Sequence, residues 1–426
     1  MVPMMNRPML EHVINLLKLH GFYDIISTLY YMPEVIKDYF GQGERFGITM
    51  KYAIEDTPLG TAGSVKACEN HLDSTFLVIS GDALTDIHLG KAVEFHKSKG
   101  AIATIVLTHA ANPLQYGVVI TDDDGRIIRF LEKPSWSEVF SDTINTGIYI
   151  LEPEALSLFE DGVKFDFSKN LFPLILKKGL PLFGYIASGY WNDVGNIQEY
   201  RRTHYDILQG LVEVDIPGEE IAKDIYIGKN TKIHPDTKLE APIVIGDSCH
   251  IRRNASINSD TVIGHNNIIS EGVSIKRSVL WDDSFCGRDA ELRGTIICSK
   301  ASLKAKSRVF EGSVVGCRSV IGIHSVIKPD VKIWPEKVID SGTTITTSLI
   351  WGAKWSKSLF GNYGVSGLAN VELTPEMAAK LGAAYSSCLK RGEQVVISSD
   401  AYKPSRMIKR ALTSGLLSGG SGVYDL

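Results

Sequence analysis

The chain has 426 residues, with 45 Lys and Arg against 49 Asp and Glu for a formal charge of −4, and the two signs are interspersed, which argues against a nucleic-acid partner. Its six cysteines (Cys68, Cys249, Cys286, Cys298, Cys317, Cys388) form no CxxC pair, so neither a disulfide framework nor a zinc site is expected and a reducing cytoplasm fits best. No stretch approaches the ~20 apolar residues of a membrane span and the start has no leader-like apolar run; a chain this long predicts two or three domains.

From residue 1 to about 209 the apolar pattern alternates between helical and strand periods, which predicts an α/β domain with a mainly parallel sheet. Met9, Leu10, Val13, Leu16 and Leu17 form a helical stripe that Gly21 closes. Phe76 to Ile79 is a short apolar run of the kind buried on both faces, and it leads into Ser80-Gly81-Asp82. Asp82 therefore sits at the C-terminal end of a strand, where open α/β sheets bind ligands. Ile102 to Leu107 predicts another strand, and residues 117–131 a hairpin turning at Asp122 to Gly125.

Between about 222 and 345 the period becomes six. Ile227, Ile233, Leu239, Ile245, Ile251, Ile257, Ile263, Ile269 and Ile275 fall at steps of six, and Ile297, Leu303, Val309, Val315, Ile321, Ile327 and Ile333 resume the series. Hexapeptide repeats predict a left-handed parallel β-helix, with Gly228, Gly246, Gly264, Gly316 and Gly322 where the backbone turns. The two series are out of phase, which predicts a looped-out insertion around Trp281 to Gly294. From 355 to 426 α/β character returns: a helix from Pro375 to Leu389, a strand from Gln394 to Ile397, and a basic helix around Met407 to Leu412. Such a piece has little core of its own and reads as the start of a domain.

Two carboxylates stand at strand-to-loop junctions, Asp82 in Ser80-Gly81-Asp82 and Asp193 in Trp191-Asn192-Asp193-Val194-Gly195. Either alone is more often a turn or cap residue. They occur, however, with Pro58-Leu59-Gly60-Thr61-Ala62-Gly63, a glycine-bearing loop that opens a helix, with Glu132-Lys133-Pro134, and with Asn145-Thr146-Gly147. Together with Val2 to His12 and Tyr116-Gly117-Val118, this ordered set resembles the nucleotidyltransferases that make nucleotide sugars from sugar 1-phosphates. The Leu-Gly-Thr-Ala-Gly wording and the following hexapeptides look most like the mannose-1-phosphate guanylyltransferases.

That resemblance implies a Rossmann-like nucleotidyltransferase domain over 1–209 and the reaction of GTP with mannose 1-phosphate to give GDP-mannose and pyrophosphate. It further implies that Asp82 and Asp193 hold Mg2+, that Lys133 meets the sugar phosphate, that Pro58, Gly60, Thr61 and Gly63 line the base, and that Gly117, Glu132, Asn145 and Thr146 contact the sugar. The family also carries a first strand and a GGxGTRL loop that grips the triphosphate, and neither occurs in these 426 residues. A non-catalytic regulatory or assembly subunit that binds a nucleotide sugar is therefore the alternative. A hexapeptide acyltransferase using His265 or His324 as base is a more remote one. Residues 355–426 resemble the first domain of the phosphohexomutases in Leu359 to Gly367, Leu373-Thr374-Pro375-Glu376 and Ser405 to Leu412. β-helix coils often stack on a partner, so a homo-oligomer is expected.

Overall fold

The N-terminus folds back at once. Strands β1 (Pro3–Met4) and β2 (Arg7–Pro8) pair antiparallel, and Met5 and Asn6 between them both take positive φ, 48° and 63°, the conformation that a two-residue I′ hairpin turn demands. Helix α1 (Met9–Leu19) follows, burying the apolar stripe. It ends as the sequence suggests: Gly21 takes φ 82°, its N–H donates to Lys18 O at 3.0 Å, and Phe22 N donates to Leu17 O at 2.9 Å, a Schellman cap.

In this computed structural model the described residues are 1–110, 112–132, 135, 141–350, 354–355, 359–360, 364–390 and 392–426. They divide into two units, Met1–Ile216 and Pro217–Leu426. In the first, β3 (Asp24–Leu29), α2 (Pro33–Phe40) and β4 (Thr49–Ile54) form a parallel crossover, followed by α3 (Gly60–Lys66), β5 (Phe76–Ile79), β6 (Ala83–Thr85) and α4 (Leu89–Lys99). Strands β7 (Ala103–His109), β8 (Gly117–Thr121), β9 (Ile127–Glu132) and β10 (Thr143–Leu151) then lead through α5 (Phe172–Lys177) to β11 (Leu182–Ile186), β12 (Trp191–Asp193) and α6 (Ile197–Leu208).

The sheet is mixed rather than mainly parallel. Strand β10 runs antiparallel to β5, β7 and β8, whereas β7 and β11 are parallel. Short reversals such as the Asp122–Gly125 turn can only join antiparallel neighbours, and periodicity does not report strand direction. Along one edge β10 exchanges partners, meeting β8 at Ile144 and β5 from Ile148 to Leu151, and its register against β7 shifts between Asn145 and Tyr149. The Asn145-Thr146-Gly147 motif occupies that bulge. Strand β5 is only partly buried, because among the described residues it pairs with β10 alone while β3 pairs with β4 alone. Between β3 and β5 lies a cleft of about 980 Å³.

The second unit opens with the parallel β-helix, whose three faces each stack seven or eight short strands. Its core is the predicted aliphatic ladder, from Ile245 through Ile345, nearly all fully buried. The looped-out insertion is absent. Two coils are instead one residue short, pairing Val262 with Val279 and Val279 with Ile296 at a spacing of 17, where the next step, Ile296 to Val314, is 18. Leu280, Cys286 and Leu292 carry the ladder between Ile275 and Ile297. Both losses fall at the same corner, just before the positive-φ residues Arg277 and Gly294.

The corner glycines serve a purpose other than turning. A Cβ on Gly246, Gly264, Gly316 or Gly322 would stand 2.5 to 2.7 Å from an atom of the next coil, so they are sites of close approach. The left-handed residues are others, among them Asn230, Asn266, Lys306 and Asp330. The last region carries α7 (Pro375–Ser387) and α8 (Lys403–Ser418) beside the parallel strands Gln394–Ile397 and Gly422–Asp425.

Candidate active site

The β6–β12 pairing creates the carboxylate pair. Asp193 lies opposite Ala83, and the Val194 N–H donates to the Asp82 carbonyl at 3.2 Å, so the backbones of Asp82 and Asp193 lie on adjacent strands one residue out of step. Asp82 is exposed and accepts the Ser80 hydroxyl at 2.6 Å; Ser80, Gly81, Asp82 and Val194 all belong to the lining of the cleft. Asp193 is half-buried, and its charge adds to burial in raising the Tyr116 phenol above its usual range. Among the described residues no cluster of three or more His, Cys, Asp or Glu could hold a metal ion. Two carboxylates fit a cation of the magnesium type, which takes one or two protein ligands and completes its shell with water and phosphate.

Asp86, which the sequence marks only as part of the strand-to-loop segment, holds this arrangement. Its Oδ1 accepts Tyr190 N at 2.6 Å and its Oδ2 accepts Glu213 N at 3.0 Å. The Thr85 hydroxyl donates to Tyr190 O at 2.7 Å, and Asn192 Nδ2 donates to Thr203 at 2.9 Å. Tyr190, pushed up to about 12 by burial, donates its hydroxyl to Asp206 at 2.7 Å.

A second group forms where β8, β9 and β10 meet. Gly117 lies opposite Glu132 in register. A Cβ on Gly117 would stand 2.9 Å from Glu132 Oε2 and 3.5 Å from Asn145 Cβ, so this glycine lets the other two side chains approach. Asn145 Nδ2 donates to Tyr149 Oη at 3.0 Å and to Ser168 Oγ at 3.2 Å, while its Oδ1 accepts Gly147 N at 2.9 Å. Thr146 does not join them: it is 2 % exposed, and its hydroxyl donates to Val106 O at 2.7 Å. Its carbonyl accepts the Trp191 indole N–H at 2.9 Å, which ties this group to β12. A side chain at the centre of a bulged strand alternates inward here, so Thr146 cannot offer its hydroxyl to a sugar. Lys133 lies outside the described residues.

The glycine-bearing loop is fastened from below. A Cβ on Gly60 would stand 2.6 Å from Phe165 O, and one on Gly63 2.9 Å from Val163 O. The Ala62 and Gly63 amides both donate to Phe165 O at 3.0 Å, so the start of α3 spends these donors on its own chain. Pro58 is exposed. The Thr61 hydroxyl donates to Asp166 Oδ2 at 2.9 Å and accepts Phe167 N at 3.0 Å. Asp166 Oδ1 caps the next turn by accepting Ser168 N at 2.9 Å and Lys169 N at 3.1 Å, and Ser168 is the residue that Asn145 reaches. A continuous chain of hydrogen bonds, Thr61–Asp166–Ser168–Asn145, thus joins two loops that sequence reasoning could only treat separately. Asp166 and Ser168 carry no motif that would have marked them.

Residues 1–210 match the family described as Nucleotidyl transferase. The UTP--glucose-1-phosphate uridylyltransferase of Synechocystis is 35 % identical over 68 % of this chain and 79 % of its own length. The mannose-1-phosphate guanyltransferase of Candida albicans is 32 % identical over 79 % of this chain and 90 % of its own. This chain belongs to the nucleotidyltransferase family. The mannose-1-phosphate guanylyltransferase of Mycobacterium tuberculosis is a more distant relative of this nucleotidyltransferase, 27 % identical over 57 % of the chain and 73 % of its own length. Residues 222–327 match the EIF2B subunit epsilon LbH domain, and residues 357–426 match domain I of phosphoglucomutase/phosphomannomutase. The nucleotidyltransferase thus combines a catalytic-type domain, a hexapeptide β-helix and a mutase-like α/β/α piece. Among the described residues no helix is long and apolar enough to cross a membrane.

Proposed function

We propose that this enzyme transfers a guanylyl group from GTP to mannose 1-phosphate, with Asp82 and Asp193 as the carboxylates for Mg2+. The observation that supports it is the pairing of β6 with β12, which brings the Asp82 and Asp193 segments onto adjacent strands, with Asp82 and Val194 at the lining of the cleft. The sugar phosphate oxygen attacks the α-phosphorus in line, the bond to the β-phosphate oxygen breaks, and pyrophosphate leaves. Mg2+ bound there would neutralise the α-phosphate and the leaving group. The chain's own residues supply position. Asp86 holds β12 against β6; Glu132 and Asn145, cleared by Gly117, face the sugar; Thr61, fixed through Asp166, steadies the loop assigned to the base. Lys133, next to Glu132 in sequence, is proposed to meet the sugar phosphate.

GTP and mannose are preferred because several relatives bear guanyltransferase names; the uridylyltransferase relative makes UTP with glucose 1-phosphate the competing pair. Such choices rest on contacts worth only about 1–3 kcal/mol. The test is pyrophosphate release with Mg2+, each nucleoside triphosphate being offered with mannose or glucose 1-phosphate, on this chain and on one extended upstream in its reading frame. Asp82→Asn and Asp193→Asn in the active form should each lower kcat at least about 100-fold, since each removes a full charge from the cation site. If neither substitution changes turnover, the carboxylate assignment fails. If both lengths of chain are silent yet bind nucleotide sugar, the regulatory reading replaces catalysis.

A further inference from the structure

Two of the six cysteines face each other on successive coils of the β-helix. The backbone ladder brackets them: Cys298 N donates to Val315 O at 2.8 Å, and Arg318 N donates to Ser299 O at 3.1 Å. Ile297 is paired with Val315, so Cys298 lies over Gly316 and diagonally across from Cys317. With coils about 4.8 Å apart and one residue of offset, the two Cα atoms are about 6 Å apart, inside the window that an unstrained disulfide spans. Each thiol shifts the ionisation of the other, and both are free.

The remaining cysteines lack this arrangement. Cys249 and Cys286 point into the aliphatic core, fully buried, and burial pushes both thiols up. Cys68 is buried in the other unit, and Cys388 is exposed on the C-terminal piece. Within the pair the roles are unequal. Cys317 is partly exposed and Cys298 is 8 % exposed. The hydrogen bond from Cys298 lowers the Cys317 thiol's pKa, with help from the Ser299 backbone and the Arg318 guanidinium. A partly exposed thiol with thiolate character is the one that small disulfides attack first.

We propose that Cys298 and Cys317 are a dithiol modification site, which a small-molecule disulfide such as oxidised glutathione converts to an intramolecular disulfide clamping two coils. The Cys317 thiolate attacks one sulfur of the reagent, and one glutathione leaves as thiolate. The Cys298 sulfur then attacks Cys317 in the mixed disulfide, its proton passing to the second departing glutathione. The protein loses two hydrogens, and one oxidised glutathione becomes two reduced ones. Because the bond ties residues of adjacent coils, it resists their separation.

The test is peptide mass spectrometry on the whole chain, equilibrated with oxidised glutathione and quenched by alkylation. A cross-linked peptide carrying Cys298 and Cys317, together with a higher melting temperature for the oxidised chain, is the expected result. Cys298→Ser should stop the reaction at a glutathione adduct on Cys317, and Cys317→Ser should leave Cys298 unmodified. Recovery of both cysteines alkylated, or a stable adduct on Cys317 without the cross-link in the unsubstituted chain, overturns the proposal. The readout on the unsubstituted chain is independent of how well either variant folds.

Discussion

His204 shows how much can rest on one protonation state. Its Nδ1 donates to Tyr200 O at 2.9 Å and its Nε2 accepts Met5 N at 3.3 Å, which requires the neutral Nδ1–H tautomer. Nearby, His12 Nε2 donates to Met4 O at 2.9 Å. Burial depresses both, His204 to about 4 from an ordinary 6.5. A histidine whose folded pKa is depressed binds more protons unfolded, so its contribution is complete above pH 6.5 and is lost as pH falls toward 4. For His204 the loss amounts to about 3 kcal/mol. Urea unfolding at pH 7 and pH 4.5 should show this decline, and His204→Gln, which keeps an acceptor without a titrating ring, should flatten it. Asp166 is the corresponding test at the site. Asp166→Ala removes the acceptor for Thr61 Oγ1 and for two capping amides, which should cost about 1 kcal/mol in denaturant unfolding. Because the relay joins both loops, it should also raise KM for both substrates; a change in one substrate alone would show that the two loops are independent. Neither residue is legible in the sequence, since each acts through a partner far along the chain and is of a type common in ordinary helices and turns.

At the level of elements, legibility follows periodicity. A six-residue ladder can be read directly because only stacked coils return an aliphatic residue to the interior at that spacing. The phase slip between Ile275 and Ile297 was equally visible, but its meaning was not. A gap of 22 residues is satisfied by an inserted loop or by two shortened corners, and only the 17-residue pairings choose the second. The corner glycines are marked by their place in the repeat, but their role is not, since close approach between coils leaves no trace in a single sequence. The structure gives them a direct test. Gly316→Ala would place a Cβ 2.5 Å from Pro335 N and should destabilise the β-helix by about 1–3 kcal/mol. Lys306→Gly, at a left-handed residue of φ 57°, relieves a Cβ clash and should be neutral or stabilising in the same thermal melt. Equal effects would remove the distinction between the two kinds of corner position.

The two units each have their own core: the aliphatic ladder lies wholly within residues 217–426, and the α/β clusters wholly within 1–216. Calorimetry should therefore resolve more than one transition, and acidification to pH 4.5 should lower the one that belongs to His204 while sparing the β-helix. A single transition shifting as a whole would show that the units unfold together. The order of motifs along the first unit is enough to mark Asp82 and Asp193 as candidates, because strand ends and loops are local features. What could not be read there is the mixed sheet, with β10 bulged at Asn145, since pairing direction is decided by distant partners. The two short coils also bear on how the solenoid tolerates changes of length. Coils of 17 stand beside coils of 18 with all three faces still in phase, because the missing residue comes out of a corner and not out of a strand. By the same rule, excising 17 residues here would close the ladder, whereas excising 18 would turn the next aliphatic residue outward.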